Sequence, residues 1–246
     1  MKLFINLFCD ASIDPNTKTA CGGTYATTQD ENNIGTIGIS GYIQEQATNN
    51  SAEILAVWTG VTQAISLQRD YPNAVFRLFS DSKISIYGVR DWVADWIRKM
   101  RHDGTLISSS GKPVANQQRF IDVFNIIVEH RFPIEFYHQR GHVSDGRVSI
   151  SEARRNFIST NKCTPEMLGL SMEFLCDCNN VIDNYTRDAI YAYLDQNVLK
   201  PGIFLEGMHP MEYKIRAGMI GQYMRLIDKK SIAKSSRHDF KGGFNQ

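Results

Sequence analysis

Three apolar segments in the first third of the chain each carry one carboxylate. Asp10 closes residues 4–10, Glu53 lies in residues 52–56, and Asp81 follows residues 75–79. Carboxylates are rarely buried in proteins unless they are paired, hydrogen-bonded or bound to a metal. Three of them in one short stretch of chain suggest a carboxylate cluster that binds hard divalent cations.

The order of strand and helix signals predicts an α/β fold. Residues 3–10, 21–28 and 34–43 read as three antiparallel strands joined by turns. A helix capped by Asn50 or Ser51 follows, and residues 74–79 form a fourth strand, which the strand–helix–strand order makes parallel to the first. We also predict helices over residues 82–101, 116–130, 151–158, 178–194 and 211–226, and a strand over residues 133–138.

The composition excludes several classes of protein. With 42% hydrophobic and 22% charged residues, the chain is globular rather than disordered. No apolar run is long enough to span a bilayer, and the N-terminal segment lacks the cleavage site of a signal peptide. Five irregularly spaced cysteines indicate reduced thiols and a cytoplasmic protein. One alternative is a zinc site at Cys163, Cys176 and Cys178, although no fourth ligand is in register.

Positive charge is concentrated in two segments, although the net charge of the chain is only +1. Residues 90–119 and residues 214–241 are both rich in lysine and arginine. Such segments indicate contact with a polyanion, and the alternative interpretation is an ordinary solvated surface.

The predicted elements bring the three carboxylates to one crevice. Asp10 and Asp81 end neighbouring strands, where open α/β sheets bind their ligands, and Glu53 faces the sheet from the first turns of the intervening helix. Each acid alone could instead cap a turn or a helix. Together they favour magnesium, which prefers a few carboxylates plus water and phosphate oxygens. Two such ions can activate a water molecule and stabilise the leaving oxygen of a phosphodiester, and a fourth carboxylate is then expected.

Several motifs occur in a fixed order along the chain. They are Phe8-Cys9-Asp10-Ala11-Ser12, Thr48-Asn49-Asn50-Ser51-Ala52-Glu53, Phe79-Ser80-Asp81-Ser82, the pair Trp92 and Trp96, Gln139-Arg140-Gly141-His142, and residues 179–187 with Asp183. In residues 1–143 and 176–190 the chain thus resembles bacterial and phage type 1 ribonuclease H, within the retroviral-integrase-like superfamily. The resemblance implies a mixed five-stranded sheet, three strands antiparallel and the rest parallel, flanked by helices.

The resemblance also implies an endonuclease that hydrolyses the RNA strand of RNA–DNA hybrids and leaves 5′-phosphates. Its implied metal ligands are Asp10, Glu53, Asp81 and Asp183, which would bind two Mg²⁺ ions, with Mn²⁺ able to substitute. His142 would shuttle a proton or help the product to leave. The implied nucleic-acid contacts are Thr48, Asn49 and Asn50, which would read 2′-hydroxyls, and a basic protrusion with Trp92, Trp96, Arg98, Lys99, Arg101 and Lys112. We expect a monomer that binds a hybrid, without an organic cofactor or a membrane.

The chain departs from the family pattern beyond His142. Residues 144–175 look like an insertion into a catalytic domain of residues 1–195, and residues 196–246 form a basic C-terminal extension. Asp177 or Asp188 could replace Asp183 as the fourth ligand, although Asn179, four residues before Asp183, favours Asp183. Two other functions stay open. A DNA nuclease or strand-transfer relative is disfavoured by residues 48–50, and a non-catalytic hybrid binder is disfavoured by the intact acids.

Overall fold

A computed structural model describes residues 3–31, 33–131, 133–143 and 146–196. Its strands are β1 (Phe4–Ile13), β2 (Ala20–Gln29), β3 (Ile34–Gln44), β4 (Val75–Ser80) and β5 (Ile134–His138). Its α-helices are α1 (Asn49–Asp70), α2 (Lys83–Tyr87), α3 (Val93–Arg98), α4 (Gln117–His130), α5 (Ile150–Asn161) and α6 (Met172–Gln196). A π-helical turn occupies Gly88–Trp92, and a 3₁₀ helix occupies Pro165–Leu168.

The five strands form one mixed sheet in the order β3-β2-β1-β4-β5. β1 pairs antiparallel with β2, and β2 pairs antiparallel with β3. β1 and β4 are parallel, as are β4 and β5. This topology confirms the predicted fold class. It also places the ends of β1 and β4 side by side, because the register pairs Cys9 with Ser80.

Alternate residues of the central strands enter two separate cores, one on each face of the sheet. On one face, Ile5 and Leu7 of β1 pack with α1 and α4. On the other face, Phe8 stacks on Phe79 of β4, with ring centroids 5.0 Å apart, and packs with α5, the 3₁₀ helix and α6. Both faces of β1 and β4 are therefore covered, as expected for strands in the parallel part of a sheet.

The predicted insertion is part of the second core. Its helix α5 contributes Phe157, and two buried polar side chains of the sheet reach its 3₁₀ helix. The guanidinium of Arg77 donates to the Leu168 carbonyl at 2.9 Å, and Gln29 Nε2 donates to the same oxygen at 3.0 Å. The residues of the predicted insertion thus complete the sheet's second layer, and α6 begins among them at Met172, six residues before the predicted start of that helix. That they are an insertion relative to the family stays a prediction.

The boundary between a catalytic domain of residues 1–195 and an extension of residues 196–246 stays a prediction. Residues 197–246, with the helix predicted over 211–226 and the basic segment 214–241, lie outside the described residues.

The structure also differs from two other helix predictions. The N-cap of α1 is Thr48 rather than Asn50 or Ser51: its hydroxyl accepts from the Ser51 N–H at 3.2 Å, while Ser51 Oγ accepts from the Thr48 N–H at 2.8 Å. The helix predicted over residues 82–101 is divided into α2, the π-helical turn and α3. The π-turn begins at Gly88, where a Cβ would lie only 2.2 Å from the Phe120 ring, so α4 packs directly against its backbone.

Candidate active site

Three carboxylates meet where β1 and β4 end side by side. Asp10 belongs to β1, Asp81 follows the last residue of β4, and Glu53 lies in the second turn of α1. Each offers one oxygen, and these three oxygens all lie within 4.8 Å of one another. The sequence predicted this cluster because two parallel strands and the helix between them lead to one edge of the sheet.

The donor chemistry of this cluster fits a hard divalent cation. Asp10 is 6% exposed, and its Oδ1 accepts the Ala11 N–H at 2.7 Å. Glu53 Oε2 is buried and has no hydrogen-bond partner among the described residues. A buried carboxylate oxygen without a donor is costly, and a cation supplies the missing partner. Asp10, Glu53 and Asp81 are therefore the residues that could hold a metal ion.

Burial and mutual repulsion raise the proton affinity of all three acids. The pKa of Asp10 lies well above its ordinary value because the group is desolvated and faces Asp81 and Glu53. Burial, with Asp81 nearby, raises the pKa of Glu53 to about 8. Burial also raises the pKa of Asp81, and the positive charges of His142 and Arg140 oppose part of that rise. Positive charge bound among these three acids would therefore favour their ionised forms.

We predict that the metal-free protein loses stability as the pH rises. Glu53 binds its proton more tightly in the folded state, with a pKa of about 8, than in the unfolded chain, with its ordinary value of 4.5. Ionisation therefore favours unfolding across this window, by a few kcal/mol for the cluster. Urea unfolding at several pH values with a chelator present should show the decline. Added Mg²⁺ should reverse it most strongly at the alkaline end, and Glu53→Gln should flatten it; a stability that rises over this window would contradict the prediction.

The carboxylates lie at the base of a cleft of about 610 Å³. Its other wall comes from the loop after β5 and from α6, through Arg140, Arg147, Asn179, Asp183 and Arg187 among others. Asn179 Nδ2 lies 3.4 Å from Asp10 Oδ2, and Gln139 Nε2 donates to Asn179 Oδ1 at 2.6 Å. α6 therefore reaches the first carboxylate directly.

Asp183 lines the cleft but stands apart from the other acids. It is not among the three carboxylates that lie within 4.8 Å of one another. It forms an ion pair with Arg187, one turn further along α6. Its charge nevertheless contributes to the raised pKa values of Asp10 and Asp81. The two alternatives, Asp177 and Asp188, are exposed and do not line the cleft.

Gly141 and His142 follow β5 and form part of the cleft wall. A Cβ on Gly141 would lie 2.1 Å from Asp81 Oδ2, so the carboxylate packs against the glycine's backbone. His142 is exposed, and its φ of 62° lies in the left-handed region that non-glycine residues adopt uncommonly. The structure thus brings the predicted His142 to the mouth of the same cleft.

The predicted nucleic-acid contacts fall into two groups outside the cleft. Asn49 and Asn50 are exposed on the first turn of α1, one turn before Glu53, and Thr48 caps that helix. The predicted basic residues are exposed on the segment from α3 toward α4; they are Arg98, Lys99, Arg101 and Lys112. Trp92 is 40% exposed beside them. Trp96 is only 9% exposed and packs edge-on against Phe120 in the first core.

The RNase H family model matches residues 4–153, which is more than half of the 246-residue chain. The chain belongs to the ribonuclease H family. This membership places it among the ribonuclease H enzymes. The matched residues include Asp10, Glu53, Asp81 and His142, whereas Asp183 and α6 lie beyond them. No curated protein matches the sequence as a relative.

The solved structures with a similar fold have low sequence identity and low TM-scores to this member of the ribonuclease H family. A foamy viral protease–reverse transcriptase in complex with RNA/DNA hybrid is 13% identical, with a TM-score of 0.42, and the match covers 67% of this chain but 19% of that one. LC11-RNase H1 in complex with RNA/DNA hybrid is 16% identical, with a TM-score of 0.39, over 67% of this chain and 99% of that one. RNase H1 from the halophilic archaeon Halobacterium salinarum is 13% identical, with a TM-score of 0.36, over 63% and 98%.

The cysteines do not form a metal centre in the described part of the chain. All five are free thiols, and none belongs to a group of side chains that could hold an ion there. Cys163 and Cys178 are buried in the second core instead, where burial raises the pKa of each thiol to about 12. Within the same described ranges, no helix has the length and apolarity needed to cross a membrane.

Several residues around the cleft were not predicted as site residues. Gly141 and Arg140 belong to the quoted motif with His142, so the motif itself was the signal that could have found them. Arg147 and Arg187 line the cleft from the insertion and from α6. Nothing in the local sequence of Arg147 indicates this, because its position depends on how the insertion folds back over the sheet.

Proposed function

We propose that this chain hydrolyses the RNA strand of RNA–DNA hybrids with two bound Mg²⁺ ions, and that Mn²⁺ can replace them. The carrying observation is the set of three carboxylate oxygens within 4.8 Å of one another, in the stretch that matches the ribonuclease H family. The orphaned Glu53 oxygen supports a cation there. When bound, the ions would activate a water molecule and stabilise the leaving 3′-oxygen of the cleaved phosphodiester.

The residues of the chain would divide this work among them. Asp10, Glu53 and Asp81 would hold the ions, with Asp183 as the fourth ligand. His142 is exposed at the mouth of the cleft, where it could transfer a proton to the leaving group or assist release of the product. Arg140 is exposed in the same wall and would attract a phosphate of the substrate strand.

Nucleic-acid binding would use the two exposed groups of residues outside the cleft. Asn49 and Asn50, supported by the Thr48 cap, would contact the RNA strand and its 2′-hydroxyls. Trp92 and the basic residues Arg98, Lys99, Arg101 and Lys112 would hold the DNA strand by its phosphates. We further propose a cytoplasmic monomer without an organic cofactor, and the five free thiols are compatible with such a reducing compartment.

A cleavage assay on matched substrates tests this function. With Mg²⁺ present, the protein should cut a labelled RNA–DNA hybrid and leave 5′-phosphate ends, while duplex DNA and duplex RNA of the same sequence stay intact. Cleavage of duplex DNA would point to a DNA nuclease on the same fold. Tight hybrid binding without cleavage, in either Mg²⁺ or Mn²⁺, would point to a non-catalytic binder.

The fourth ligand has its own test. Asp183→Asn should lower kcat on the hybrid by more than about 10-fold, because the loss of groups that only support metal ligands already costs that much. Asp177→Asn is the matched control, since Asp177 lies on the same helix but is exposed and outside the cleft. We expect the control to keep wild-type activity. The opposite pattern would move the fourth ligand to Asp177.

A further inference from the structure

The outer edge of β5 is capped by one side chain of the insertion. β5 is an edge strand of the sheet, and Asn161 is the last residue of α5. Asn161 Oδ1 accepts the His138 N–H at 2.9 Å, and Asn161 Nδ2 donates to the His138 carbonyl at 2.7 Å. A neighbouring strand would make the same pair of hydrogen bonds, so the amide takes the place of a further strand at this one residue.

The side chain of His138 connects this cap to the active site. Its Nε2 lies 3.0 Å from the backbone carbonyl of Asp81, and because a carbonyl only accepts, Nε2 carries the proton. The ring stacks near Tyr87, with centroids 6.5 Å apart. His138 Nδ1 is buried and has no hydrogen-bond partner within the described residues, so the hydrogen bond of the ring to Asp81 is made by Nε2.

Asp81 depends on this hydrogen bond because it lies just beyond the end of the strand ladder. The last register pair between β4 and β5 joins Ser80 to His138, and the Gln139 N–H donates to the Ser80 carbonyl at 3.0 Å. The Asp81 carbonyl is therefore the first one past the ladder, and the His138 side chain is what holds it. The carboxylate of Asp81 in turn packs against Gly141, three residues after His138.

We infer that Asn161 and His138 are positioning residues that fix Asp81, so Asn161 of the insertion contributes to catalysis without itself touching the substrate. Asn161 is 2% exposed and His138 is 1% exposed, so neither side chain can reach a bound hybrid. Arg90 strengthens the arrangement, since its Nη1 donates to the Phe136 carbonyl at 3.3 Å and lies 3.5 Å from Asn161 Oδ1. The inference rests on the proposed function only in taking Asp81 as a metal ligand.

Three variants of the full chain test the inference. Asn161→Ala removes the cap, and His138→Phe keeps a ring but removes the donor to Asp81. Asn156→Ala is the control, because Asn156 lies on the same helix and its side-chain oxygen has no hydrogen-bond partner within the described ranges. Titration with Mn²⁺ should show about 10-fold weaker binding for the first two variants, as is typical when a group that supports a metal ligand is lost, and no change for the control.

Kinetics on the hybrid provide the second readout. Both positioning variants should lower kcat by about 10-fold and leave KM unchanged, because the groups removed do not face the substrate. His138→Gln should recover part of the loss, since its amide can still donate to the Asp81 carbonyl. Thermal unfolding of each variant, with assays run well below the midpoint, separates this effect from loss of the fold.

Different results would overturn different claims. Wild-type Mn²⁺ affinity in Asn161→Ala and His138→Phe would overturn the positioning role, as would His138→Gln being no better than His138→Phe. A wild-type protein that binds Mn²⁺ but does not cleave the hybrid would overturn the proposed function alone. The Mn²⁺ titration still decides the positioning role in that case.

Discussion

Replacing Asp10 by asparagine should abolish metal-dependent cleavage of the hybrid and, at the same time, make the metal-free protein more stable. The two effects have one cause. Asp10 is buried beside Asp81 and Glu53, and this environment raises its pKa well above the ordinary value. Asparagine has nearly the same shape as aspartate but no charge. In the metal-free protein it therefore relieves the repulsion among the carboxylates, whereas in the metal-bound protein it removes one negatively charged ligand.

The loss of activity should exceed about 100-fold, the upper end of what is lost when a mere supporting group of a metal site is removed. Initial rates on a labelled hybrid measure it, and urea unfolding with a chelator at alkaline pH measures the gain in stability. Asp70→Asn is the control, because Asp70 is exposed at the end of α1. Activity that survives Asp10→Asn would place the catalytic metal elsewhere.

Replacing Gly141 by alanine should inactivate the enzyme nearly as fully, although the glycine itself has no chemistry to contribute. The added Cβ would lie 2.1 Å from Asp81 Oδ2 and 3.1 Å from its Cγ, far inside contact distance. Either the carboxylate or the loop that carries His142 must move. A misplacement of about 1 Å at a reacting centre costs about 100-fold in rate, so we expect a loss of that order.

Gly38→Ala is the matched control, since a Cβ at Gly38 in β3 meets nothing within 4 Å. The Gly38→Ala protein should keep both its activity and its Mn²⁺ affinity. The Gly141→Ala protein should lose both, while its far-UV circular dichroism spectrum stays that of the wild type. A Gly141→Ala protein with rates within a few-fold of wild type would show that Asp81 has room to move, which would also weaken the case for its positioning by His138.

The three-acid site and the sheet around it were predictable because each depends on local sequence. Apolar strands that end in Asp10 and Asp81, with a helix between them, leave few ways to connect parallel strands. The burial of Trp96 was not predictable in the same way. Trp92 and Trp96 are four residues apart and their ring centroids lie 5.8 Å apart, but only Trp96 packs against Phe120 of the distant helix α4, which the local spacing does not indicate.

The second layer of the fold was beyond the reach of sequence patterns for a different reason. The insertion carries ordinary helix signals, but its place is set by contacts with residues far away in the chain, such as the buried Arg77 that reaches Leu168. Asn161 and His138 show the same limit, because an asparagine at a helix end gives no sign that it will cap a distant strand. Local secondary-structure propensity does not predict such long-range contacts, because they depend on the tertiary packing.

The contact between α6 and β1 determines when the catalytic cleft can form during synthesis of the chain. The hydroxyl oxygens of Ser12 and Thr186 lie 2.9 Å apart although 174 positions separate them in the chain. Bringing such distant segments together is entropically slow, and β1, α1 and β4 leave the ribosome long before α6 does. During synthesis the three acids should therefore face water without their cover, and the nascent chain gains a complete catalytic cleft only when its last described helix docks.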